Sequence, residues 1–169
     1  PATSRSAVLE LLEVGEKLGR ALHHAHEHGL IHRDVKPANI MVGAEQEPVL
    51  LDFGLARESD GESAVLTASG EMVGTPAYMS PEQVAGERVD RRTDVYGLGA
   101  TLYEALSGRR PHDAPNLAAL RRGILESDVT PVGLGNRAIS TDVEVVIATA
   151  MEKDVDRRYG SAHELAEDL

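Results

Sequence analysis

Cysteine and tryptophan are absent from the 169 residues, phenylalanine occurs once, and aromatic side chains make up only 3%. Without Cys there are no disulfides and no thiol chemistry, which fits a reducing compartment. With so few rings, a core has to be assembled from Leu, Val, Ile, Ala and Met, and the length suffices to bury a sizeable one as a single domain. No apolar run approaches a membrane span and no signal peptide is visible. The expectation is a soluble cytoplasmic protein, with any membrane anchor lying elsewhere in a longer parent. Positive charge is scarce too: the net charge is −11. Nucleic-acid binding usually shows a basic patch or stripe, so that class is not expected. Neither an internal repeat nor a low-complexity segment is found.

What the chain does have is concentrated between residues 32 and 54. The run His32-Arg33-Asp34-Val35-Lys36-Pro37-Ala38-Asn39 sets a carboxylate, an ammonium and an amide at fixed offsets. Pro37 removes a backbone donor and disfavours a helical lead-in, so the run is a loop. Ile40-Met41-Val42 and Val49-Leu50-Leu51, joined by a turn from Gly43 to Pro48, predict a β-hairpin. Its return brings Asp52 close to Asn39. An oxygen-only pair of this kind suits a hard cation such as magnesium, commonly shared with substrate phosphates.

Residues 32–39 match H-R-D-x-K-P-x-N, and Asp52-Phe53-Gly54 matches D-F-G. Further on, Gly74-Thr75-Pro76-Ala77-Tyr78-Met79-Ser80-Pro81-Glu82 matches G-T-P-x-Y-M-[AS]-P-E. With these motifs in this order the chain resembles the C-terminal lobe of a bacterial, eukaryotic-like (Hanks-type) serine/threonine protein kinase. The resemblance implies a protein kinase-like fold over residues 1–169: a mainly α C-terminal lobe, a small β-hairpin at the active-site edge, and an activation segment over about 52–82. The β-rich N-terminal lobe is not in this stretch, since no G-x-G-x-x-G loop or V-A-I-K strand precedes the motifs.

The same resemblance implies ATP and Mg as cofactors and protein Ser/Thr hydroxyls as acceptors. Asp34 would orient the attacking hydroxyl, Lys36 would place a charge near the γ-phosphate and mark Ser/Thr specificity, and Asn39 and Asp52 would hold magnesium. Met41 would form part of the floor under adenine. His32 and Phe53 would stack in an apolar column anchored by Asp94. Arg33 would pair a phosphate on the activation loop, with Thr67 and Ser69 as the candidate phosphosites. Thr75 would link the substrate platform to Asp34 and Lys36, and Glu82 with Arg158 would form a buried ion pair.

Apolar periodicity predicts a helix over 6–28, with Leu11, Val14, Leu18, Leu22 and Ala25 on one face, capped by Ser4 or Ser6 and ended by Gly29. A short helix starts at the capping box Ser80-Pro81-Glu82-Gln83. A second long helix over about 92–107 carries Val95, Leu98, Leu102 and Leu106, with Gly97 and Gly99 admitting close neighbours. Residues 116–127 predict another helix and 128–139 a loop. Capping boxes at Thr141–Glu144 and Ser161–Glu164 open the last two helices. The first helix ends in His23, His24, His26 and His28. No acidic or Cys partner recurs at ligand spacing, so a helix-end cationic cluster is expected rather than a zinc site.

Three departures from the family pattern stand out: Ser80 where Ala is usual, Tyr96 where Trp is common, and Val155 where Pro is common. None touches the catalytic set. The expectation is an ATP-dependent kinase fragment, inactive without the lobe that closes over ATP. The alternative is a non-catalytic, pseudokinase-like docking or regulatory module.

Overall fold

The first helix is fixed at both ends by chemistry local to it. In the computed structural model, which describes residues 2–43, 47–53 and 76–169, helix α1 spans Arg5–Glu27 and the Ser4 hydroxyl accepts the Ala7 N–H at 3.1 Å. At the other end Gly29 turns left-handed (φ 76°). Its N–H donates to the His26 carbonyl and that of Leu30 to the Ala25 carbonyl, so the loose carbonyls of the last turn are satisfied. The buried stripe is Val8, Leu12, Gly15, Leu18, Gly19 and Leu22, with Leu11 and Val14 only partly covered beside it. It is thus rotated from the predicted face.

The chain then passes through a loop and a single 3₁₀ turn, Pro37–Asn39, into strands β1 (Ile40–Val42) and β2 (Pro48–Leu50). The strands are antiparallel, with Ile40 opposite Leu50 and Met41 opposite Val49. Because side chains alternate along a strand, Ile40 and Leu50 pack on the core while Met41 and Val49 face outward. A one-turn helix α2 (Pro81–Ala85) follows, with the capping box formed reciprocally between Ser80 and Gln83.

Helix α3 (Arg92–Ser107) is the axis of the molecule. Residues 93–103 are buried without interruption, so this helix is enclosed all round rather than striped. Val95, Leu98 and Leu106 are fully covered, each worth about 1.5–3 kcal/mol of burial. Gly97 is needed where it stands: a Cβ there would come within 3.0 Å of the Val35 side chain. The loop bearing Asp34 can therefore lie directly on α3. Around it pack α1, α5 (Thr141–Ala150) and α6 (Ala162–Asp168), with α4 (Leu117–Glu126) reached through α2.

One helix start differs from expectation. The cap of α5 is Ser140, not Thr141: its hydroxyl accepts the Val143 N–H at 3.3 Å, while Glu144 is drawn off to accept the Gly133 N–H at 3.0 Å. Among the described residues no helix is long and apolar enough to cross a membrane.

Candidate active site

Asp94, on the first turn of α3 and 1% exposed, organises the loop above it. Its Oδ2 accepts the His32 N–H at 2.8 Å and its Oδ1 the Arg33 N–H at 2.7 Å. His26, from the end of α1, meets Oδ2 through Nε2 at 2.7 Å, with both side chains wholly buried. A carboxylate only accepts, so Nε2 carries the hydrogen in this contact. His26 thus departs from the expected helix-end cluster: packing from a distant element buries it. Of the others, His28 bonds the His24 carbonyl and His23 stacks on His163. Among the described residues no three potential metal-ligating side chains come together.

His32 joins the two functional stretches. Its Nε2 lies 2.8 Å from the Leu51 carbonyl, its Nδ1 receives the Asp34 N–H at 3.2 Å, and Phe53 meets its ring edge-on at 4.8 Å. A carbonyl can only accept and a backbone N–H can only donate, so the hydrogen sits on Nε2 and the lone pair on Nδ1. Arg33 adopts φ 66°, left-handed for a residue with a Cβ. Its buried Nε has no hydrogen-bond partner among the described residues.

Beyond this anchor the polar side chains converge. Lys36 Nζ donates to Asp34 Oδ2 at 2.7 Å; Asn39 Nδ2 donates to the same oxygen at 3.0 Å and to the Asp34 carbonyl at 2.8 Å. Asp34 is half exposed, whereas Lys36 and Asn39 are largely covered. Oδ1 of Asp34 is engaged by neither. The Leu51 N–H donates to the Asn39 carbonyl at 2.8 Å, which fixes the backbone one residue before Asp52 against Asn39. Asp52 itself is exposed and left-handed, φ 58°. Met41 stands 61% exposed on the outward face of the hairpin.

A second buried charge cluster braces α2. Arg158 pairs with Glu82 through two parallel hydrogen bonds, 2.9 and 3.1 Å, and also donates to the carbonyls of Arg92 and Glu152. Its guanidinium lies 5.2 Å from the centre of the Tyr96 ring. Burial by itself raises the Glu82 carboxyl, but the hydrogen bonds and charge of Arg158 outweigh it and hold the group below the usual carboxylate range. Burial pushes the Tyr96 hydroxyl up. Tyr78, beside Glu104, is pushed up to about 12, by burial first and then by that carboxylate.

Gly54, Thr67, Ser69 and Thr75 lie outside the described residues. Two polar contacts of the site carry roles that their sequence positions did not suggest. His26 was legible only as one of several histidines, and Gln83 only as a capping residue, although its amide also donates to the Arg33 carbonyl at 2.8 Å. A donor–acceptor side chain at the third position of a one-turn helix was the available signal for the latter.

The protein kinase domain family matches residues 8–168. The chain is 37% identical over 169 residues to the serine/threonine-protein kinase PknB of Mycobacterium tuberculosis, covering 100% of this chain and 26% of that protein. It is 38% identical over 160 residues to the PknB of Mycobacterium leprae, covering 95% and 26%. To the probable serine/threonine-protein kinase PknB of Bifidobacterium longum it is 39% identical over 149 residues, covering 88% and 22%. The chain thus spans about a quarter of the length of these curated relatives.

Proposed function

The chain belongs to the protein kinase domain family, and from that premise we propose that it is the C-terminal part of the catalytic domain of an ATP-dependent serine/threonine protein kinase. The observation that carries the reading is the joined cluster of Asp34, Lys36 and Asn39, tied by backbone to the residue before Asp52 and hung from a buried carboxylate.

The residues suit magnesium and nucleotide. Both Nδ2 bonds of Asn39 are spent on Asp34, so its carboxamide oxygen is the atom left to meet a cation. With the exposed Asp52 carboxylate this is an all-oxygen donor set, the kind a hard cation takes. When bound, magnesium neutralises charge on the phosphate oxygens.

The chain's own residues do the positioning. Asp34 accepts or orients the proton of an incoming protein Ser or Thr hydroxyl, with Oδ1 unengaged by its two neighbours. Lys36 supplies positive charge beside it, covered enough for that charge to be felt in a medium less screening than water. Met41 offers an apolar platform for the base of ATP. Arg33 Nε, without a hydrogen-bond partner among the described residues, gives a phosphorylated Thr67 or Ser69 a partner, the charge pairing by which activation loops are ordered. Thr75 would connect that segment to Asp34 and Lys36, while Glu82 and Arg158 hold the segment's far end. A β-rich N-terminal lobe is the partner required to close over ATP.

The test is transfer from radiolabelled Mg-ATP to a Ser/Thr peptide mixture. Fused behind a kinase N-terminal lobe carrying a Gly-rich loop and its Lys, the chain should transfer label, and Asp34→Asn should abolish transfer. Alone, it should reach less than about a hundredth of the fused rate, because positioning supplies most of this catalysis. No transfer by the fused protein sinks the reading.

A further inference from the structure

The peptide between Arg33 and Asp34 is gripped at both ends. Its N–H, on Asp34, donates to His32 Nδ1 at 3.2 Å, and its carbonyl, on Arg33, accepts from Gln83 Nε2 at 2.8 Å. The neighbouring N–H of Arg33 goes to Asp94 Oδ1. Arg33 needs this: φ 66° is a state that side chains with a Cβ avoid unless their surroundings impose it. Rotation of that one peptide plane would swing Asp34 out of register with Lys36 and Asn39.

Gln83 reaches the peptide from outside the loop. Its Oε1 accepts from the Ser80 N–H at 3.0 Å and from the Ser80 hydroxyl at 3.3 Å. The Ser80 hydroxyl also meets the Thr93 hydroxyl at 2.5 Å. Thr93 is the residue before Asp94. A closed circuit results: Arg33, Gln83, Ser80, then Thr93–Asp94, and back to Arg33. The carboxamide cannot be turned round, since Ser80 needs an acceptor and the Arg33 carbonyl a donor.

We infer that Gln83 is a positioning residue for phosphoryl transfer, holding the Arg33–Asp34 peptide so that Asp34 is presented to the acceptor hydroxyl, and linking that presentation to the start of α2. The inference rests on the kinase reading of the site. Gln83→Glu separates the two roles of the side chain. A carboxylate still accepts from Ser80 and caps α2, but it cannot donate to the Arg33 carbonyl. Gln83→Leu removes both.

Backbone resonances of the whole chain test the contact. In Q83E the Ser80 amide proton should keep its wild-type shift, while the Arg33 carbonyl carbon and Asp34 amide proton move; in Q83L all three should move. In the protein completed by an N-terminal lobe, Q83E should lose about tenfold in kcat with KM for ATP within about twofold, the signature of an interaction that matters in the transition state. Unchanged Arg33 and Asp34 resonances in Q83E overturn the inference. So does an active completed protein whose kcat is indifferent to Q83E. A completed wild-type protein that transfers nothing overturns the kinase reading instead, and is recognised because the wild type itself fails.

Discussion

Glu82 and Arg158 are separated by 76 positions and meet with almost no exposure, 5% and 0% of their side chains. A pair this buried is expensive to break from one side, because the surviving charge is left without a partner. Glu82→Ala should therefore cost about 3–5 kcal/mol in urea unfolding, while replacing both residues by apolar ones of similar size should cost much less. The pair also has a pH signature. Glu82 is lowered in the folded state, so its contribution is present in full above the carboxyl's unfolded value and disappears as pH falls through the lower folded one. Acid should narrow the gap between wild type and Glu82→Ala; a constant gap down to the acid transition would argue against the pairing. The two partners could be named from motif register alone. His26 could not, because what distinguishes it is Asp94, 68 positions later. Local spacing sees a helix end there, and only the packed helix α3 turns that end into an interior.

The elements themselves were largely legible, since each is bounded by residues whose preference is local. Gly29 and Gly108 take left-handed φ at two helix ends, Ser80, Asn116 and Ser161 cap the starts of α2, α4 and α6, and the hairpin strands fall within one residue of the predicted ones. The failure at α5 has a physical origin. Thr141 and Glu144 have capping-box spacing, yet the Gly133 N–H on the preceding loop claims Glu144, and Ser140 takes the cap. The two residues can be told apart by substitution. Ser140→Ala should lower stability by about 1 kcal/mol, the usual value of a lost cap, whereas Thr141→Ala at the first helical position should change little. Thermal unfolding of the two variants decides between them. The buried face of α1 lies about one residue round from the predicted one for a related reason. Periodicity finds a stripe, but α3 and α6 decide which edge of it is buried.

Across the whole molecule, the loop that carries Asp34 has almost no regular secondary structure and is still anchored in the interior through His32, Val35 and Asn39. The backbone N–H groups of His32 and Arg33 end on Asp94, and Asp94 is part of the helix around which α1, α5 and α6 pack. The hairpin is different: Met41, Val42 and Val49 are more than half exposed. A loop is ordinarily the first part of a protein to open to solvent. Here the rate at which deuterium replaces the amide hydrogens of His32 and Arg33 should match that of residues within α3, while the amides of β1 exchange much earlier. Releasing those two hydrogens requires the core to come apart, so an irregular stretch of chain inherits the lifetime of the native state itself.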